Sequence, residues 1–384
     1  MTTNLFMAIA CGGTGGHFYP TLSIAKEFIG RGGKVTLLVA GNHAAEQLAL
    51  AAEQGIPAIE VPTVRLPAHV WQWPLFPFRM LSCRKAARKV LDSLKPDILL
   101  GMGSFASVPQ CLAASADMPM FLHEGNAFMG KANRWLIRMK RIAGVTLSLP
   151  LADEGQLHGV RSRFVGMPLR EAIVAAARNP LPQGEYLASL GLEPGRKTIL
   201  VFGGSQGARF INGIFAGVAP LLKDVASQFQ IIHLTGTDDN EALVEAYRNA
   251  GIRSSVRRSE PNIHLCYQAA DIVFCRSGAS SLCELALFRK PLFLIPLPTA
   301  ADNHQFVNAK LLENAKAAKL CEQKHLDEPW LAAVIRDWLA NGDQWNAAAK
   351  NLARFAKPNA AADAVDFMLE TLHPSNEPPI GGNH

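Results

Sequence analysis

Short apolar runs alternate with amphipathic segments along most of the chain, and glycine or proline clusters mark nearly every change. Residues 4–10 form a β-rich apolar run. The turn Cys-Gly-Gly-Thr-Gly-Gly-His17 follows, then a segment with Leu22, Ile24, Ala25 and Phe28 at helical spacing. Residues 35–40 and 56–61 read as strands around a helix at 44–54. Such alternation predicts βαβ units and a parallel sheet. It lapses at 61–80, where Pro62, Pro67, Pro74 and Pro77 stand among Trp71, Trp73, Phe76 and Phe78; this reads as a long apolar loop. A basic helix with Arg79, Arg84, Lys85, Arg88 and Lys89 comes next. Strands at 97–100, 119–122, 144–149 and 161–165 resume the pattern, with His123-Glu-Gly-Asn126 at the C-terminal end of one of them.

Residues 167–195 are rich in proline and glycine and predict a linker. The pattern then restarts with a strand at 197–202, the turn Gly203-Gly-Ser-Gln-Gly-Ala208 and a helix to about residue 223. The two glycine turns lie about half a chain apart, and each follows a strand and opens a helix. Two similar doubly wound domains are the economical reading. Residues 274–308 carry the densest polar grouping, with the turn Arg276-Ser-Gly-Ala279, then Asp302, Asn303, His304, Gln305 and Asn308 at the start of a helix. Polar groups gathered where parallel strands end suit a ligand crevice. Helices at 329–339, 344–355 and 360–372 close the chain, and the polar tail 374–384 reads as loose.

The 384 residues, 49% of them hydrophobic and 18% charged, are enough for two full cores. A net charge of +6 favours anionic partners without choosing among them. No run of about 18 uninterrupted apolar residues occurs, nor a basic leader before an apolar stretch, so a cytoplasmic protein is expected. Seven cysteines without C-x-x-C spacing read as buried thiols. The first glycine turn is not G-x-G-x-x-G, and the second strand ends in Val39-Ala40-Gly41 without an acid, which disfavours a dinucleotide cofactor. There is no P-loop, no D-x-D and no histidine or cysteine ligand spacing, so neither a cofactor nor a bound metal is expected.

Glycine turns that open helices offer backbone amides to an anion, and two of them in one chain point to a phosphate ligand. His17 lies just past the first turn, at the C-terminal edge of the sheet, where a general base would stand. Glu284 has two readings. Its spacing from Ser281 fits a capping box, and a carboxylate also suits the paired hydroxyls of a sugar. Trp71, Trp73, Phe76 and Phe78 ahead of Arg84, Lys85 and Arg88 fit either a loop folded over the core or an apolar wedge with a basic rim on an anionic membrane. The aromatic and basic groups are sequential rather than interleaved, which suits nucleic acid poorly.

Taken in order, Gly12-Gly-Thr-Gly-Gly-His17, Gly101-Met-Gly-Ser-Phe105, His123-Glu-Gly-Asn126, Gly203-Gly-Ser-Gln-Gly-Ala208 and Cys275-Arg-Ser-Gly-Ala279 with Glu284 and Gln305 resemble the MurG family of family 28 glycosyltransferases. The motifs span about residues 5–315. The resemblance implies an α/β GT-B fold, two Rossmann-like doubly wound parallel-sheet domains facing across a cleft. It implies an N-terminal, membrane-facing acceptor domain at 1–168 with a C-terminal helix near 358–373 packing back on it, and a UDP-GlcNAc domain at 169–357. The implied activity is inverting transfer of GlcNAc from UDP-GlcNAc to the 4-hydroxyl of an undecaprenyl-linked muramyl-pentapeptide, at the cytoplasmic face of the membrane. Other cell-wall synthesis proteins would be further partners. Carried over by motif, Thr14, Gly15, Gly16, Asn126, Arg170, Ser205, Gln206, Ala279, Ser280, Ser281, Leu282, Cys283, Glu284 and Gln305 would meet the donor, Glu284 at the ribose and Ser205 at the diphosphate, with His17 as base. The family commonly has glutamine where His304 stands, an aromatic like tyrosine at Phe105 and glutamine at Gly125. A glycosyltransferase with another lipid acceptor, a UDP-GlcNAc epimerase and a non-catalytic membrane scaffold remain alternatives.

Overall fold

The computed structural model describes residues 2–13, 15–64, 67, 69–204 and 209–373. They form two compact units. The first holds residues 1–125, 129–169 and those from 359 onward; the second holds 126–128 and 170–358.

The first unit is built on seven parallel strands: β1 (Phe6–Gly12), β2 (Lys34–Ala40), β3 (Ala58–Glu60), β4 (Ile98–Gly101), β5 (Met120–Glu124), β6 (Gly144–Leu147) and β7 (Ser162–Phe164). They lie side by side in the order β3-β2-β1-β4-β5-β6-β7. Met7 is paired with Val35 on one side and with Ile98 on the other. Helices cover both faces, so the central strands read as unbroken apolar runs rather than alternating ones. Met7, Ile9, Phe18, Phe28, Phe121 and Phe367 make the core on one face. Ala8, Leu38, Leu99, Cys83, Ala87, Leu91 and Leu136 make it on the other. The helix Ala360–Leu372 belongs to this unit. Arg31 pairs with Asp366, and Arg163 with Glu370 at 2.5 Å, which fixes that helix at two points.

Gly12 ends β1 at φ +146°. A Cβ there would lie 2.0 Å from the Ala40 carbonyl oxygen, so only glycine fits. Within residues 61–80 the expected loop gives way to helix from Val70 onward. A 3-10 helix spans Val70–Leu75, and the α-helix Phe76–Leu94 begins at once. Pro77 sits in that helix's first turn, where a missing N–H costs nothing.

The second unit repeats the arrangement with one strand fewer. Its strands are β8 (Lys197–Phe202), β9 (Phe229–Leu234), β10 (Arg253–Arg257), β11 (Ile272–Cys275), β12 (Leu292–Leu294) and β13 (Lys319–Leu320), in the order β10-β9-β8-β11-β12-β13. The edge strand β10, Arg-Ser-Ser-Val-Arg, carries the charge that protects a sheet edge and gives no apolar signal in the sequence. The helical run Arg209–Gln228 is long and apolar enough to cross a membrane by length and mean hydropathy. It breaks into an α-helix and a 3-10 helix, and its Ile211, Ile214, Phe215, Val218 and Leu222 are core residues of this unit. All seven cysteines are buried free thiols, as their spacing suggests.

Candidate active site

In the second unit the polar residues cluster after β11. The chain leaves the strand through Arg276-Ser277-Gly278, and a helix runs Ala279–Phe288. Its N-cap is Gly278, in an extended conformation and with no side-chain cap. The first-turn amides are therefore left for an anion. The capping box, one of the two readings of this spacing, does not form. The cap position falls on Gly278, which places Ser281 inside the helix and Glu284 a further turn along. Glu284 instead accepts a hydrogen bond from the Tyr267 hydroxyl at 2.7 Å. Burial raises its pKa, against the opposing effects of the Tyr267 hydrogen bond and the Arg170 charge. Ala279, Leu282 and Cys283 are buried.

Arg276 is buried and donates to the carbonyls of Ile295 and Pro296 and to Gln323 Oε1. Those bonds hold the chain just beyond β12. Gln305 Oε1 accepts from the Leu297 amide at 3.0 Å, which leaves the Gln305 Nε2 as the donor for a ligand. Ser277 Oγ donates to the Gln305 carbonyl at 2.7 Å. Asp302 and Asn303 both adopt left-handed conformations, at φ +50° and +53°, immediately before the helix His304–Asn314. Aspartate and asparagine are the side-chain-bearing residues that take this backbone most readily. His304 Nδ1 donates to the Ala301 carbonyl at 2.7 Å, which leaves its Nε2 with the lone pair when the ring is neutral.

Asn126 and its neighbours belong to the second unit, although the sequence placed residues 1–168 together. The reason is Asn308, whose side chain receives the Ala127 amide at 2.8 Å and donates to Asn126 Oδ1 at 3.0 Å. Arg170 stands at the N-cap position of the helix Glu171–Arg178 in the same unit, without a side-chain cap. Thr14, Ser205 and Gln206 lie outside the described residues, and Gly15 and Gly16 open the helix Gly15–Gly30.

In the first unit, His17 Nδ1 lies 3.1 Å from the Met102 carbonyl oxygen. A carbonyl only accepts, so Nδ1 carries the proton and the neutral ring keeps its lone pair on Nε2, the arrangement a general base needs. Gly103 makes the turn after β4 possible, because a Cβ there would meet the His123 carbonyl at 2.8 Å. His123 is buried between Thr146 Oγ1 and Ser148 Oγ, each at 3.0 Å. Burial pushes its pKa down to about 3, and the charge of nearby His17 adds to the shift. Glu124 is structural, accepting from the Gly130 amide and Asn133 Nδ2.

An exposed apolar face stands apart from these groups in the first unit. Trp71 and Phe78 are each 71% exposed and Trp73 51%, with Leu75 and Leu81 beside them. Phe76 links this face to the core, with the Trp73 ring 5.8 Å away between centroids. It is half-buried, packs against the first core and has Phe105 at 6.4 Å between ring centroids. Arg84, Lys85 and Arg88 are exposed on the same helix. Burial, then the charges of Arg84 and Arg88, lower the Lys140 pKa, so a second basic element converges here.

Residues 7–143 match the glycosyltransferase family 28 N-terminal domain and residues 198–364 its C-terminal domain. The chain is 34% identical over 373 residues to a protein of Halothermothrix orenii, covering 94% of this chain and 97% of that one. It is 35% identical over 378 residues to one of Saccharophagus degradans, covering 96% and 92%. Both relatives are named UDP-N-acetylglucosamine--N-acetylmuramyl-(pentapeptide) pyrophosphoryl-undecaprenol N-acetylglucosamine transferase. The crystal structure of Acinetobacter baumannii MurG is similar at a TM-score of 0.76 and 26% identity, over 96% of this chain and all of that one.

Proposed function

The chain belongs to glycosyltransferase family 28, and from that premise we infer that it is the inverting N-acetylglucosaminyltransferase of peptidoglycan synthesis. It moves GlcNAc from UDP-GlcNAc to the 4-hydroxyl of undecaprenyl-pyrophosphoryl-N-acetylmuramyl-pentapeptide. The observation that carries this is the match of both units, along nearly the whole length, to relatives named for that reaction. The two-sheet GT-B architecture agrees with it.

The residue roles are our reading of the geometry. The 4-hydroxyl attacks C1 of GlcNAc as the bond from C1 to the diphosphate oxygen breaks, and the bonding pair leaves with UDP. The hydroxyl proton passes to Nε2 of His17, which the Met102 carbonyl keeps in the right tautomer. Charge growing on the diphosphate meets the uncapped amides at Ala279–Ser281 and the Arg170 guanidinium. Glu284, steadied by Tyr267, accepts from the ribose hydroxyls, and Gln305 offers its Nε2 to a sugar oxygen. The chain's place is the cytoplasmic face of the membrane. There Trp71, Trp73 and Phe78 enter the interface, and Arg84, Lys85 and Arg88 meet anionic head groups.

Labelled UDP-GlcNAc incubated with the lipid-linked muramyl-pentapeptide should yield a labelled lipid product on chromatography. Label that moves to diacylglycerol, or that stays in an epimerised nucleotide sugar, overturns the assignment.

A further inference from the structure

Asn308 has no exposed surface, although half of the other residues on its helix are polar. Its carboxamide is used completely. Oδ1 accepts the Ala127 amide at 2.8 Å, and Nδ2 donates to the Ser277 carbonyl and to Asn126 Oδ1, each at 3.0 Å. No other side chain of that size offers one acceptor and two donors in a plane. Aspartate lacks the donors and leucine lacks everything. Ser277 is also fully buried, and its hydroxyl returns to the same helix at the Gln305 carbonyl.

We infer that Asn308 is a positioning residue of the donor site, one that sets Asn126 and the Ser277 turn in a single register. The inference rests on the donor reading given above. The Nδ2 of Asn308 fixes the orientation of the Asn126 amide, because only an oxygen can receive that hydrogen bond. The Asn126 atom that a ligand oxygen meets is then its Nδ2, a donor, which suits a diphosphate or sugar oxygen. The same carboxamide holds the turn that precedes the uncapped helix Ala279–Phe288. A buried polar network of this kind is costly when any one member is missing, and its members act as a unit.

The test is a double-mutant cycle on the full chain, with UDP-GlcNAc as the varied substrate. Asn126→Ala, Asn308→Ala and the double variant should each raise KM for UDP-GlcNAc roughly tenfold, the size of one lost hydrogen bond in a binding site, with kcat little changed. The double variant should be no worse than either single one. Effects that multiply, or an Asn308→Ala protein whose melting temperature falls while KM stays put, overturn the inference. If Asn308→Ala does not fold, Asn308→Asp takes its place. It keeps the acceptor for Ala127 but cannot donate to Asn126, and it should show the same rise and the same lack of additivity. An Asn126→Ala protein with unaltered KM removes the donor reading of that segment and the inference with it, whereas a raised KM with multiplicative effects removes the inference alone.

Discussion

The two units share one strand order. Numbered within each unit, both sheets run 3-2-1-4-5-6, and the first merely adds a seventh strand. Their chemistry is nevertheless different. At the strand ends of the first unit stands an imidazole with its Nδ1 proton committed to a backbone carbonyl. In the second stands a half-buried carboxylate held by a tyrosine, near an uncapped helix start. The first also carries the exposed aromatic face with its basic rim. A doubly wound sheet therefore fixes where a site lies, and the turns and first helical residues decide what it does. We assign proton transfer and membrane contact to the first unit and donor binding to the second.

The sharpest way to break that division is His17→Ala. Turnover should fall by roughly 10²- to 10⁴-fold, the usual worth of a general base. UDP affinity by calorimetry should stay at the wild-type level. A variant that turns over normally, or that loses UDP, contradicts the split. Glu284→Ala is the mirror experiment. Loss of charge-assisted hydrogen bonds to two hydroxyls should weaken UDP-GlcNAc binding roughly 10²-fold. Wild-type titration curves would leave Glu284 with only its Tyr267 contact.

A third experiment bears on the exposed face. Trp71, Trp73 and Phe78 changed together to serine should lower partitioning onto anionic vesicles by roughly tenfold or more, since interfacial binding scales with buried apolar area. Phe76→Ser, by contrast, should act on stability, because that ring is packed against the core. Equal co-sedimentation of the triple variant and the wild type would exclude this face as the docking surface.

The last effect is on stability and is common to both units. His123 in the first and His233 in the second are each buried, with pKa values pushed down to about 3 by burial. Both folded values lie below the unfolded one, so between about pH 6.5 and 3 the unfolded chain binds more protons. Stability should therefore fall as the pH drops through that window. Each ring contributes on the order of 2 kcal/mol between pH 7 and 5. Thermal unfolding at the two pH values should show it, with a flatter response in His123→Gln and in His233→Gln. An unchanged slope in both variants means that other groups carry the acid sensitivity.

Much of the scaffold was legible because parallel strands buried on both faces announce themselves as apolar runs, as at β1 and β8. The edge strand β10 was not, since its arginines and serines suit an edge and hide the strand. The Ser281 and Glu284 pair left two readings open because capping spacing is a local signal. The partner that engages Glu284 is Tyr267, on another helix, and no local pattern points to it. The prolines at 74 and 77 suggested a loop for a similar reason, as proline is equally at home where a helix begins. Asn308 was visible as one of several polar residues at a helix start. Its three bonds reach residues 126, 127 and 277, and only the folded chain brings those together.

The close approach of Gly12 to Ala40 bears on what a variant library could sample. Position 12 admits one letter, because the obstruction is backbone and cannot swing aside. Gly204, near the corresponding turn of the second unit, has a positive φ of 78° but, among the described residues, nothing within 4 Å of where a Cβ would be. Asparagine or aspartate, which tolerate that backbone, are open there at a modest cost. Diversity introduced at these two glycines would thus survive selection unevenly, with a single residue tolerated at position 12 and a small family of them at position 204.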